Sequence, residues 1–202
     1  MNTTGKDQHD PEWLTQALRG NTEAFANLVE FYQRPVFNLC YRMLGDPDEA
    51  EDAAQETFLR AYNGLKRYDM QRSFSTWLLS IAAHYCIDQM RRKHFTLLSM
   101  DSLPYLDPPD LAPGPETSLS RREEQQRIRV LLDSLNPVDR AAVVMRYWYE
   151  LSYEEISESL QLTVSAVKSR LHRARLEMAD NWTAQIAQTS PVERRQNESP
   201  AF

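Results

Sequence analysis

Lys168, Arg170, Arg173 and Arg175 stand within eight residues that contain no acid, with Ser169 and His172 interleaved and Ser165 just ahead. Stepping about 100° per residue along a helix puts Val164, Val167, Leu171, Ala174 and Met178 on one face. Ser165, Ser169, His172 and Arg173 fall opposite, and Lys168, Arg170 and Arg175 fall on the flanks. An apolar face seats such a helix on a core. Short polar groups and a central Arg can then reach base edges in a major groove, while flanking cations meet phosphates on its walls. A basic amphipathic helix alone could equally be a solvated surface, so what precedes it decides. Ser152-Tyr153-Glu154-Glu155 is a capping box that opens a short helix to residue 160, with Ile156 and Leu160 inward. Gln161-Leu162-Thr163 makes a tight connection, and Thr163 can cap the next helix. This is helix-turn-helix spacing.

Two further groups lie upstream. Over 47–66, Ala50, Ala53, Ala54, Phe58, Ala61 and Leu65 recur near helical spacing, while Asp48, Glu51, Asp52, Gln55 and Glu56 take the other sides. Early acids suit the helix dipole, and a carboxylate-rich face could also dock a basic partner. Over 74–93, Phe74, Leu78, Ile81 and Tyr85 cluster as a core stripe. Trp77, His84, Asp88 and Arg91 form a second stripe, ending in Arg91-Arg92-Lys93. A polar loop, Asp69 to Ser73, precedes it after Tyr68. Aromatics beside cations offer stacking faces and backbone neutralisation to single-stranded nucleic acid.

No arrangement suggests catalysis. The four histidines (9, 84, 94, 172) are scattered, and no H-E-x-x-H, G-x-S-x-G or P-loop pattern occurs. No cofactor and no metal site is expected. Cys40 and Cys86 lie in apolar surroundings and read as buried thiols in a reducing cytoplasm. The longest apolar runs are far too short to span a bilayer, and Asp7, His9 and Asp10 stand where a signal peptide would need apolar residues. The expected location is therefore cytoplasmic, with no membrane insertion.

The elements that position these residues are helices. The 202 residues contain only five glycines, and no segment sustains alternation of apolar and polar residues. Helices are expected near 11–19, 22–44, 47–66, 74–93, 119–135, 137–149, 153–160 and 164–182. Asp46-Pro47 and Asn136-Pro137 mark two starts, and Pro35 should kink or break the second helix. The net charge of −6 divides unevenly: −2 over 1–95, −4 over 96–120, and zero over 121–202. Residues 96–120 hold five of the eleven prolines and no Lys or Arg, a composition for an extended tether. The expected fold is all-α: two small helical domains, 1–95 and 119–185, joined by an extended linker over 96–118 and followed by a tail over 186–202.

These residues resemble the extracytoplasmic-function sigma factors of the sigma-70 family, over about 20–185. Asp48 to Tyr62 resembles conserved region 2.2. Phe74 to Ala82, with Asp88 and Arg91-Arg92, resembles regions 2.3 and 2.4. Leu151 to Ile156 and Val167 to Arg175 resemble region 4.2. The resemblance implies that Asp48, Asp52, Gln55, Glu56 and Phe58 bind core RNA polymerase. It implies that Arg72, Ser73, Trp77, His84, Asp88, Arg91 and Arg92 open and read the −10 promoter element. Ser165, Lys168, Ser169, Arg170, His172, Arg173 and Arg175 would read the −35 element. The acidic linker would thread towards the polymerase active-site and RNA-exit channels, and an anti-sigma factor is an expected further partner. His84 stands where the family usually has Asn. Gln161 stands at a corner where Gly is common, and a positive φ there would cost on the order of 1 kcal/mol. Ser165-Ala166 replaces a usual Gly-Thr, so −35 preference does not transfer. The alternative is a helix-turn-helix regulator binding duplex DNA without polymerase, which would need neither the carboxylate face nor the acidic linker.

Overall fold

The computed structural model describes residues 10–99 and 117–189. Eight α-helices run through them: α1 (Asp10–Leu18), α2 (Thr22–Leu44), α3 (Pro47–Gly64), α4 (Phe74–Ser99), α5 (Thr117–Asp133), α6 (Pro137–Trp148), α7 (Tyr153–Leu160) and α8 (Val164–Thr189). A 3-10 turn over Leu65–Arg67 follows α3, and the described residues contain no strand. Most of the expected linker and tail lies outside the described residues.

The helix starts follow from local chemistry. Asn21 accepts from the amides of Glu23 and Ala24, Asp46 from Glu49, Asn136 from Asp139 and Ser152 from Glu155, each at 3.0–3.1 Å. Each bond satisfies an orphan first-turn donor. Helix α2 ends on Gly45 at φ 78°, whose amide donates to the Tyr41 carbonyl at 2.8 Å. The connection after α2 is therefore two residues, Gly45 in left-handed backbone, which Gly adopts without Cβ strain, and the extended cap Asp46.

Pro35 does not break α2, which continues for 23 residues. It withholds an N–H from the carbonyl four residues back, and helical backbone continues on both sides. The expected core stripe of α4 is also displaced. Phe74 and Leu78 are buried, but so are Leu79, Ala82, Ala83, Cys86 and Ile87, while Ile81 and Tyr85 are only half-buried. Helix α4 is covered from several sides, by α2 and α3 and also by α6 and α7, so its buried arc is broader than one stripe. Cys40 on α2 and Cys86 on α4 are free, fully buried thiols. Hydrogen bonding to Cys40 and burial both push the Cys86 thiol up, which keeps it protonated.

The two halves pack against each other. Arg140 of α6 is buried, and its guanidinium donates to the Met43 carbonyl at 2.7 Å and pairs with Asp133 at 2.9 Å. Met43 lies in the last turn of α2, where carbonyls lack helical donors, so a side chain from the second half satisfies a helix end in the first. Burial lowers the Arg140 pKa, opposed by the Asp133 carboxylate. Tyr149 donates its hydroxyl to the Pro35 carbonyl at 2.6 Å. Arg42 lies over the Trp148 ring, 5.0 Å from its centroid. The core thus runs without interruption from α1 to α8.

Candidate nucleic-acid interface

The helix-turn-helix forms as its spacing predicts. Glu155 accepts from the Ser152 amide at 2.7 Å, which completes the capping box on α7. Gln161 adopts the left-handed conformation, φ 54° and ψ 45°, and the Leu162 amide returns to the Ser157 carbonyl at 2.8 Å. Thr163 Oγ1 then accepts from the Ala166 amide at 3.1 Å and starts α8. Glu150, just before α7, also has positive φ, which the sequence did not signal.

On α8, Val167, Leu171 and Ala174 are buried, Met178 packs against the core from a half-buried position, and Val164 is half-buried. Ser165, Ser169, His172 and Arg173 are exposed on the other side, as are Lys168 and Arg175. Lys168 also lies over the Tyr153 ring of α7, 5.5 Å from its centroid. Arg170 differs from its neighbours. Its guanidinium bonds Asp139 at 2.7 Å, and Asp139 is 3% exposed. A partly buried charge pair of this kind fixes α8 against α6 and leaves Arg170 less able to reach a phosphate.

The loop from Tyr68 to Ser73 is held by its own backbone and by rings. The Tyr68 hydroxyl donates to the Arg72 carbonyl. The Gln71 amide donates to Asp69 Oδ1 at 3.0 Å, and the Arg72 amide to the Asp69 carbonyl at 3.0 Å. Ser73 begins α4, its carbonyl accepting from the Trp77 amide at 3.0 Å. Trp77 sits 4.9 Å from the Tyr68 ring and 5.6 Å from the Phe74 ring. It is half-buried, so its indole is fixed by two aromatic neighbours and still reachable. Beyond it, His84 Nδ1 donates to the Ser80 carbonyl at 2.8 Å. Asp88, Arg91 and Arg92 follow along α4, all three exposed. Tyr68, which shapes the loop from a buried position, was read in the sequence only as the aromatic before it.

The third face is on α3. Asp48, Asp52 and Gln55 are exposed, and Glu56 and Phe58 are half-buried. Glu56 pairs with Arg60 at 2.7 Å, and Arg60 lies 4.8 Å over the Tyr85 ring of α4. Glu49 contacts Lys93 from α4. Asp48, Glu51 and Asp52 therefore carry the outward negative charge, with Leu59 and Tyr62 exposed further along the helix. Among the described residues no group of three His, Cys, Asp or Glu could hold a metal ion, and no helix is long and apolar enough to cross a membrane.

Comparison with known proteins places these faces in context. The Sigma-70 region 2 family matches residues 28–96, and the Sigma-70, region 4 family matches residues 125–178. The ECF RNA polymerase sigma factor SigW of Bacillus subtilis is 38% identical over 176 residues, spanning 80% of this chain and 90% of that protein. The structure of CnrH in complex with the cytosolic domain of CnrY shares the fold, with TM-score 0.66 and 24% identity over 88% of this chain and 99% of that one. The sigma factor RpoE, solved with the anti-sigma factor NepR from Bartonella quintana, shares it with TM-score 0.63 and 21% identity over 77% and 94% of the two chains.

Proposed function

The chain belongs to the extracytoplasmic-function group of the sigma-70 family, and from that membership we propose how its three faces divide the work of starting transcription. It is an RNA polymerase sigma factor that directs core polymerase to promoters and assists opening of the DNA. Asp48, Asp52, Gln55, Glu56 and Phe58 of α3 dock on core polymerase. Arg72, Ser73 and Trp77, with His84, Asp88, Arg91 and Arg92 further along α4, receive the melted −10 strand. Trp77 supplies a stacking face and the arginines neutralise the backbone.

Ser165, Ser169, His172 and Arg173 of α8 reach base edges at −35, while Lys168 and Arg175 meet phosphates. Arg170 contributes mainly by holding α8 in place. The region 2 domain spans 1–95 and the region 4 domain 119–185, with the acidic segment 96–118 between them. Polymerase supplies the catalysis. The protein works in the cytoplasm, and an anti-sigma factor is its regulatory partner, as NepR is for RpoE.

One observation carries this reading: a solvent-open carboxylate face on α3 and a solvent-open basic face on α8 occur on one chain. A regulator that binds duplex DNA alone needs only the second. The test combines the chain with purified core polymerase and a duplex promoter template. Promoter-dependent initiation is expected. Failure to associate with core, together with retained binding to duplex DNA, would sink the reading.

A further inference from the structure

The outward stripe of α4 changes its hydrogen-bonding character from end to end. A cleft of about 380 Å³ beside α7 takes in Arg72, Ser73 and Trp77 and reaches Ser80. His84 stands one turn beyond Ser80, and Asp88 one turn further, before the exposed Arg91 and Arg92. Cations at either end suit backbone phosphates. A carboxylate only accepts hydrogen bonds and repels phosphate, so the stretch between the cations is suited to bases.

The bond that His84 makes fixes what its ring can offer. Nδ1 lies 2.8 Å from the Ser80 carbonyl oxygen, which has no proton to give, so Nδ1 carries the N–H and donates. Neutral imidazole has one N–H and one lone pair, and the lone pair is thereby left on Nε2. Nε2 makes no hydrogen bond to any described residue and is open to solvent. The ring is half-buried, and its anchor is helical backbone that cannot swing away.

We infer that His84 reads the −10 element as a hydrogen-bond acceptor only, favouring adenine or cytosine and rejecting guanine or thymine. Adenine and cytosine present an exocyclic amino donor where guanine and thymine present a carbonyl oxygen. Nε2 against a carbonyl sets lone pair against lone pair and leaves both groups unpaired. That exocyclic group projects from the major-groove edge and borders the pairing edge, so the choice is the same for a stacked and an extruded base. Asparagine at this place would carry a donor and an acceptor and could turn either to the base. His84 cannot, because Ser80 holds its only N–H. The inference rests on the assignment of His84 to the −10 face and adds the class of base read there.

Two measurements on the full chain test it. Nitrogen-15 NMR of histidine-labelled protein, with the His84 signals identified by their loss in H84Q, should show a proton on Nδ1 and none on Nε2. A proton on Nε2 overturns the inference. The second measurement uses core polymerase and a promoter from which the wild type initiates, randomised across the −10 element with a barcode in each transcript. At one position the wild type should favour A or C over G or T by about tenfold. H84Q and H84E introduce side chains of one shape, but glutamine offers a donor and an acceptor whereas glutamate only accepts. H84Q should bring that ratio near one. H84E should keep it, although its charge lowers the overall rate. A preference kept in full by H84Q belongs to another residue and overturns the inference. Its loss in H84E does so too, as does a wild type that favours G or T or neither class. If neither variant initiates, wild-type protein is tested on templates with uracil for cytosine or hypoxanthine for adenine at each −10 position. One such exchange should cost about tenfold, and no effect at any position overturns the inference. Failure of the wild type on every template is distinguishable, and overturns the sigma assignment together with the inference built on it.

Discussion

The face of α8 and the face at the start of α4 carry similar groups, yet one is open and the other is partly covered. Ser165, Ser169, His172 and Arg173 stand clear of the protein, while Arg72, Ser73 and Trp77 look across a cleft at the carboxylates of α7. The difference follows from what each would read. A duplex presents its major-groove edges ready-made, so a preformed helix can be exposed from the start. A single strand must first be melted, and stacking surfaces left open would bind any unpaired nucleic acid.

The comparison can be broken at either face. Arg173→Ala should have the largest effect. Removing a central base-reading side chain from the open face should cost about 1–3 kcal/mol, or roughly 5- to 150-fold in initiation at a −35-dependent promoter. Association with core should be unchanged in a pull-down; a core-binding defect would contradict the role assigned to α8. Trp77→Ala attacks the covered face. Without that stacking surface, open-complex formation should slow about tenfold, measured by permanganate reactivity of the melted strand, with duplex affinity intact. A matching fall in duplex affinity would merge the two faces into one.

Smaller effects sharpen the same contrast. Gln161→Gly relieves the left-handed strain at the corner supporting the open face and should stabilise the chain by about 1 kcal/mol in urea unfolding. Tyr149 tests the seam behind the covered one. Burial raises its pKa, opposed by the Arg42 guanidinium and reinforced by Cys40, so the folded chain holds the phenolic proton more tightly than the unfolded chain does. Its contribution is therefore complete below about pH 10, the ordinary tyrosine value, and is lost as the pH rises beyond it. Y149F should cost about 1 kcal/mol near neutrality and flatten the alkaline fall in the urea midpoint. An unchanged alkaline slope would assign that fall to other groups.

What the sequence disclosed was local. Asp46, Asn136, Ser152 and Thr163 cap the helices expected of them, and Val167, Leu171 and Ala174 face inward, because a cap or a face needs only neighbours within a turn or two. The buried arc of α4 was illegible for the opposite reason. Whether Leu79, Ala83 and Ile87 are covered depends on how many helices surround α4, which its own periodicity does not encode. Glu155 shows how a local explanation can hide a distant one. The capping box accounts for its presence, and nothing in that pattern announces Thr76, 79 residues away. Arg170 sits on the flank its spacing gives it, but only the fold shows that Asp139 waits on that side.

The bond between Arg170 and Asp139 has a consequence for how faithfully α8 reads. A helix lying in a groove can err by rolling about its own axis, and a roll of about 100° replaces every base-facing residue with its neighbour. Buried apolar contacts resist such a roll softly, since methyl groups slide past one another. A directional ion pair to a carboxylate at the start of α6 does not slide. It clocks the helix, setting the azimuth at which Ser169 and Arg173 point outward. On the role proposed for α8, fidelity at a base pair depends on a carboxylate buried on the far side of that helix.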